Sequence, residues 1–264
     1  MIITSASNEK LKNVKKLSKS AKERNEQSLY IVEGIRMFRE IPRDDIVSLF
    51  VSENAEVKYA DEIVSVLGES YKDRDNYYVL PDKLFSGISD TGTPQGILAL
   101  VRQREKKLDN MLCEDNTFLL IIEKLQDPGN LGTIIRTAEG AGVTGIVISC
   151  DSVDIYNPKV VRSTMGSIFR VPIYVSDNLA EDISLIKEKG VTVYGAHLKG
   201  KNIYDRDFKG ACAFLIGNEG NGLSEEVSAT ADELIKIPMK GKVESLNAAT
   251  STAVIAYEVL RQRM

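Results

Sequence analysis

Residues 118–149 read FLLIIEKLQDPGNLGTIIRTAEGAGVTGIVIS. Phe118–Ile122 is apolar at every position, the pattern of a strand covered on both faces. Ile146–Ser149 is a second such run, and residues 131–141 between them have helical spacing. A strand, a helix and a strand in this order predict two parallel strands joined by a crossover. The pattern continues downstream. Apolar runs recur at Ile173–Val175, Thr192–Tyr194, Ala213–Ile216 and Leu234–Ile237, and helical stretches lie near 158–169, 179–189, 223–231 and 247–262. The alternation predicts an α/β fold with a mostly parallel sheet and helices on both faces.

Upstream, the elements are shorter. One helix is expected from Asn8 to about Gln27, with Leu11, Val14 and Leu17 on one side. Strands are expected at 29–33, Ile46–Val51, Tyr77–Leu80 and Gly96–Val101. Helices are expected around Ile35–Phe38, Asp61–Leu67 and Asp82–Ile88. The stretch 102–110, RQREKKLDN, is charged and has no apolar face, as a linker between domains does. The chain of 264 residues suits two domains of ordinary size. The division expected is 1–105, a linker at 106–116, and 117–264.

Composition narrows the function. Hydrophobic residues make up 43% of the chain, and no apolar run approaches membrane-spanning length. The lysine-rich start does not resemble a secretory signal. Three widely spaced cysteines, Cys113, Cys150 and Cys212, suggest neither a zinc site nor a disulfide framework, and a reduced cytoplasmic setting is expected. The net charge of −4 hides an asymmetry: residues 1–24 hold seven Lys and Arg against two Glu, a net +5. A basic terminus on an acidic body suits phosphate contacts, although a solvated helix face has the same composition.

In an open parallel sheet, ligands bind beyond the carboxyl ends of the strands. Three loops there are unusual. Asp127-Pro128-Gly129-Asn130-Leu131-Gly132 forms a tight turn in which Asn130 is placed to cap the next helix, with Arg136 about a turn and a half further on. Gly217-Asn218-Glu219-Gly220-Asn221-Gly222-Leu223-Ser224 lets backbone approach a ligand closely, and Ser224 is suited to cap the helix after it. Ile237-Pro238-Met239 leads through Gly241 to Ser245-Leu246-Asn247 and a helix of small residues. A capped helix or a flexible turn is the plain alternative at each of the three.

Gly195–Asn202, GAHLKGKN, imitates a phosphate loop. It has Asn202 where the magnesium-binding hydroxyl belongs, and only a weak helix start follows, so an NTPase is disfavoured. His197 is the only histidine, and no nucleophile elbow accompanies it, so a hydrolase triad is not supported. His197 is expected in a loop.

Taken in order, the three loops resemble the three motifs of SpoU-type (SPOUT) RNA methyltransferases, over roughly residues 117–263. Val161–Ser167 with Pro172 resembles the family's connecting helix and strand. Glu33-Gly34 and Thr93–Gly96 are similar to the family's small, ribosomal-protein-like α/β RNA-binding domain. The resemblance implies a deep trefoil knot in the second domain, a homodimer whose interface builds the active site, and S-adenosylmethionine as methyl donor. It implies transfer to a ribose 2′-hydroxyl, with rRNA as the expected substrate and tRNA or a non-catalytic RNA-binding module as alternatives.

Carried over by motif, Arg136, Asn130, Glu219, Ser245 and Asn247 are the expected catalytic set. Ala196, His197, Leu198, Gly217, Asn218, Glu219, Ile237, Met239 and Leu246 are expected at the cofactor. Lys12, Lys15, Lys16, Lys19, Arg36 and Arg136 are expected to meet RNA. No metal is expected.

Overall fold

The computed structural model describes residues 1–104, 106–112 and 117–264. Of the linker expected at 106–116, Cys113 and residues 114–116 lie outside the described residues. Backbone contacts divide the chain into two compact units. One is Met1–Arg104 with Asp154–Phe169, the other Glu105–Val153 with Arg170–Met264.

In the first unit, β1 (Leu29–Glu33), β4 (Ile97–Arg102), β2 (Ile46–Ser52) and β3 (Tyr77–Leu80) lie side by side in that order. Only β2 and β3 are parallel. Helix α1 (Glu9–Lys19) buries Leu11, Val14 and Leu17 with Ile31, Phe50, Tyr78 and Leu100. The other sheet face packs on α3 (Ile35–Phe38) and α5 (Ala60–Leu67), joined by Val161 of α8 (Pro158–Ser163). The single helix expected at 8–27 is two. Ser20 ends α1 in extended backbone, and its Oγ accepts the Glu23 N–H to open α2 (Ala21–Gln27). The break turns Arg24 back toward α1, where its guanidinium donates to the Leu17 carbonyl at 2.6 Å and pairs with Asp154. Sequence also missed α4 (Glu53–Lys58), which Ser52 caps.

The second unit holds six parallel strands in the order β10-β8-β9-β5-β6-β7. They are β5 (Phe118–Ile122), β6 (Gly145–Ser149), β7 (Ile173–Ser176), β8 (Thr192–Asn202), β9 (Cys212–Ile216) and β10 (Glu233–Lys236). Every residue of β5, β6 and β9 is buried, as the unbroken apolar runs require. Leu119, Ile121, Val147 and Leu215 pack with Ile183 of α9 (Leu179–Glu188) and Val227 of α10 (Glu225–Thr230). Each such side chain contributes about 1.5–3 kcal/mol on full burial. Helices α7 (Pro128–Gly140) and α11 (Ala248–Arg263) pack on one another, and α7 packs on β6.

The loop expected at Gly195–Asn202 is instead the second half of β8. It pairs with β10 across a register shift. Gly200 permits this, because a Cβ there would lie 2.4 Å from the Ile235 carbonyl carbon. A phosphate loop needs free backbone N–H groups before a helix, and this segment is a strand. His197 accordingly sits in β8, where its Nδ1 accepts the Lys199 N–H.

Candidate functional site

Because all six strands run the same way, the segments after β5, β9 and β10 emerge at one edge of the sheet. Glu219, in the loop after β9, joins two of them. Its Oε1 accepts the Asp127 N–H at 3.0 Å and Asn130 Nδ2 at 3.1 Å, and Oε2 accepts the Gln126 N–H at 3.2 Å. Asn130 Oδ1 in turn accepts Asn247 Nδ2 at 2.9 Å. The Asn247 Oδ1 accepts the N–H groups of Ala249 and Thr250, which caps α11. Glu219, Asn130 and Asn247, from the three motifs, thus form one chain of hydrogen bonds.

This network corrects one role. Asn130 does not cap α7. Asp127 does, its Oδ1 accepting the Asn130 N–H at 2.7 Å, with Pro128 as the first helical residue. The cap moves three residues upstream, which frees the Asn130 amide to bridge Glu219 and Asn247. Arg136 therefore sits just over two turns into α7. Ser224 and Asn247 do cap α10 and α11.

Burial by itself raises the Glu219 carboxyl. The hydrogen bonds from Asn130 and from the Asp127 and Gln126 backbone outweigh it and hold the group below its ordinary value of 4.5. The sign follows. A carboxylate depressed in the folded state stabilises the fold fully above about 4.5, and the contribution is lost as pH falls through the folded value. Melting curves from pH 6 down to pH 3.5 are expected to decline more steeply for wild type than for Glu219→Gln. Parallel curves would show that the network contributes nothing.

A cavity of about 290 Å³ opens beside this network. All nine residues expected at the cofactor line it: Ala196, His197, Leu198, Gly217, Asn218, Glu219, Ile237, Met239 and Leu246. Ser245 lines it as well. Sequence reasoning missed Ile216, Leu223 and Ile235, whose apolar side chains read only as strand or helix core, and Lys236 and Ser251. The Asn218 N–H and carbonyl each bond their counterparts on Gly222, at 3.0 and 2.9 Å, which closes the glycine loop on itself.

The structure does not bring Arg136 to this cavity. It is exposed on α7 and, among the described residues, has no hydrogen-bond or ion-pair partner. Helices α7 and α11 run in the same direction. Asn130 meets Asn247 at their starts, and ten residues later Gly140 backs onto the Tyr257 hydroxyl. In the first unit, Lys12, Lys15, Lys16 and Lys19 are exposed on the side of α1 opposite its buried leucines, and Arg36 is exposed on α3. Lys12 pairs with Glu9 at 2.5 Å. Among the described residues, no group of three His, Cys, Asp or Glu is placed to hold a metal. Among the same residues, no helix is long and apolar enough to cross a membrane.

Comparison with known proteins gives three findings. Residues 117–257 match the SpoU rRNA Methylase family, and residues 8–99 match the MRM3-like substrate binding domain. The 23S rRNA (guanosine(2553)-2'-O)-methyltransferase RlmP of Bacillus subtilis is 32% identical over 97% of the chain and 98% of its own length. Two crystal structures share the fold. The AdoMet-bound rRNA methyltransferase of Sinorhizobium meliloti is 29% identical, with a TM-score of 0.87 over 100% of this chain and 98% of its own. The SpoU methyltransferase AviRb of Streptomyces viridochromogenes, in complex with AdoMet, is 26% identical, with a TM-score of 0.87 over 97% and 98%.

Proposed function

Since the chain belongs to the SpoU rRNA methylase family, we propose that it is a methyltransferase that uses S-adenosylmethionine to methylate a ribose 2′-hydroxyl of ribosomal RNA. The observation that carries this is the cavity at the strand ends, where all three motif loops meet. Its lining suits the donor. Apolar Leu198, Ile237, Met239 and Leu246 suit the faces of an adenosine, and loop backbone supplies hydrogen-bonding groups for its edges. What favours ribosomal RNA over tRNA is that RlmP of Bacillus subtilis and the Sinorhizobium meliloti methyltransferase, which both match nearly the whole chain, are named for rRNA.

The donor, when bound, supplies an electrophilic methyl group. The chain's own residues then have two tasks. The hydrogen-bonded set Glu219, Asn130 and Asn247 fixes the loops, and Ser245 faces the cavity. Arg136 orients the RNA phosphate through its planar fork and stabilises the ribose oxygen as negative charge develops on it. A guanidinium is a very poor proton acceptor at neutral pH, so the hydroxyl proton leaves to water and not to Arg136.

The reading includes a homodimer. An active site shared between two copies accounts for an arginine that has no partner among the described residues and does not line the cavity of its own chain. It also includes the trefoil knot and the division into an RNA substrate-binding domain (1–105), a linker (106–116) and a methyltransferase domain (117–264). A cytoplasmic location goes with an rRNA substrate.

Calorimetric titration with S-adenosylmethionine, with Mg-ATP as control, tests the cofactor. Saturable binding of the donor alone is expected, and binding of ATP instead would overturn the function. Transfer of labelled methyl to the 2′-oxygen of unmodified rRNA tests the reaction. The basic helix gives a further expectation. Reversing Lys12, Lys15 and Lys16 to Glu should weaken RNA binding and flatten its salt dependence by about two phosphate contacts' worth, roughly 1.4–1.8 in the log–log slope. Unchanged RNA affinity would remove α1 from the RNA interface.

A further inference from the structure

The loop that lines the cofactor cavity, Gly217–Ser224, is held from beneath by the tip of β5. Glu123, the first residue past β5, is only 3% exposed. Its Oε2 accepts the backbone N–H of Ser224 at 2.8 Å, at the end of the loop. At the start of the loop, Asn218 Nδ2 donates to the Lys124 carbonyl at 2.8 Å. Two successive residues of one strand tip therefore hold the loop's two ends.

The backbone between them is unusual. Lys124 has φ of 52°, a left-handed value uncommon for a side-chain-bearing residue, and its N–H donates to Ser149 Oγ at 2.9 Å. On either side of this turn the Glu123 carboxylate meets Ser224 and the Lys124 carbonyl meets Asn218. The fold alone does not ask for an acid there. The five residues before Glu123 are apolar and buried, and a buried carboxylate is expensive unless hydrogen-bonded.

We propose that Glu123 is a positioning residue for methyl transfer. By fixing the Ser224 N–H it sets the span of the glycine loop and hence the shape of the donor cavity. The inference rests on the reading of that cavity as the S-adenosylmethionine site.

The test is calorimetry of the full-length protein with S-adenosylmethionine, alongside RNA affinity. Glu123→Leu removes the acceptor at similar volume. It is expected to raise the donor Kd about 10- to 100-fold with the number of sites and RNA affinity unchanged. Glu123→Gln keeps an oxygen facing the Ser224 N–H and is expected to stay within about threefold of wild type. Ser224→Pro removes the N–H at a φ of −63° that proline adopts, together with the hydroxyl that caps α10. It should match the leucine variant even where that variant folds poorly, whereas Ser224→Ala, which loses the cap alone, should stay near wild type. An unchanged Kd in Glu123→Leu, or fewer sites at unchanged Kd, would overturn the proposal and leave a brace for folding only. Equal loss in Glu123→Gln would do the same. Absence of donor binding in the wild type would instead bring down the cofactor reading itself.

Discussion

Replacing Arg136 with alanine is expected to lower methyl transfer by about 10²–10³-fold, the usual effect of removing one group aimed at developing charge. Donor affinity should not change, because Arg136 does not line the cavity. Single-turnover transfer to rRNA, paired with donor calorimetry, separates the two. A variant that loses donor binding would place the arginine at the cofactor instead. Arg136→Lys keeps the charge but loses the planar fork, so it is expected to recover only part of the activity. Full activity in that variant would sink the orientation role. The same residue tests the dimer. Mixing Arg136→Ala with a variant whose donor cavity is closed should restore activity if the arginine of one copy serves the cavity of the other. No restoration on mixing would confine the active site to one chain.

Gly217→Val is expected to close that cavity. A Cβ at Gly217 would lie 2.1 Å from the Gly222 carbonyl carbon, 2.2 Å from the Leu223 nitrogen and 2.4 Å from the Gly222 oxygen. All three are backbone atoms, so no side-chain rotation relieves the clash. The loop must open and break the paired Asn218–Gly222 hydrogen bonds. Overpacking costs about 1–3 kcal/mol, and each lost hydrogen bond about 0.5–1.5 kcal/mol. The donor Kd should therefore rise by at least about 30-fold. The β9 core residues beneath stay packed, so a cooperative melting transition should persist. Donor binding at wild-type strength would show that the loop's closed shape does not set the cavity.

Much of this protein was legible from local chemistry. The buried runs of β5, β6 and β9 announced a parallel sheet because strands covered on both faces have no polar side. Ser224 and Asn247 were legible as caps because each bonds N–H groups two or three residues away. Of the nine residues expected at the cofactor, the six at 217–219, 237, 239 and 246 were legible as cavity lining because they lie in motif loops that follow strands, whereas Ala196, His197 and Leu198 line it from within β8. Where equally local signals competed, sequence chose wrongly. Asp127 and Asn130 are both good caps, and only the distant Glu219 and Asn247 decide which one caps.

The remaining features depend on partners far along the chain. The second half of β8 is a strand because β10 pairs with it, some 34 residues later, and no periodicity within 195–202 encodes that. The break at Ser20 brings Arg24 to Asp154, a partner 130 residues away. Glu123 is a polar residue after an apolar run until Ser224, 101 residues on, gives its carboxylate a donor. The sequence by itself determined most of the strands and helices, the three motif loops and the family they belong to, since those rest on hydrophobic pattern and on caps within a few residues. Only the tertiary structure decided which loop holds which, and that Arg136 stands apart from its own cavity, because a hydrogen bond is satisfied by whatever folding brings within 3 Å.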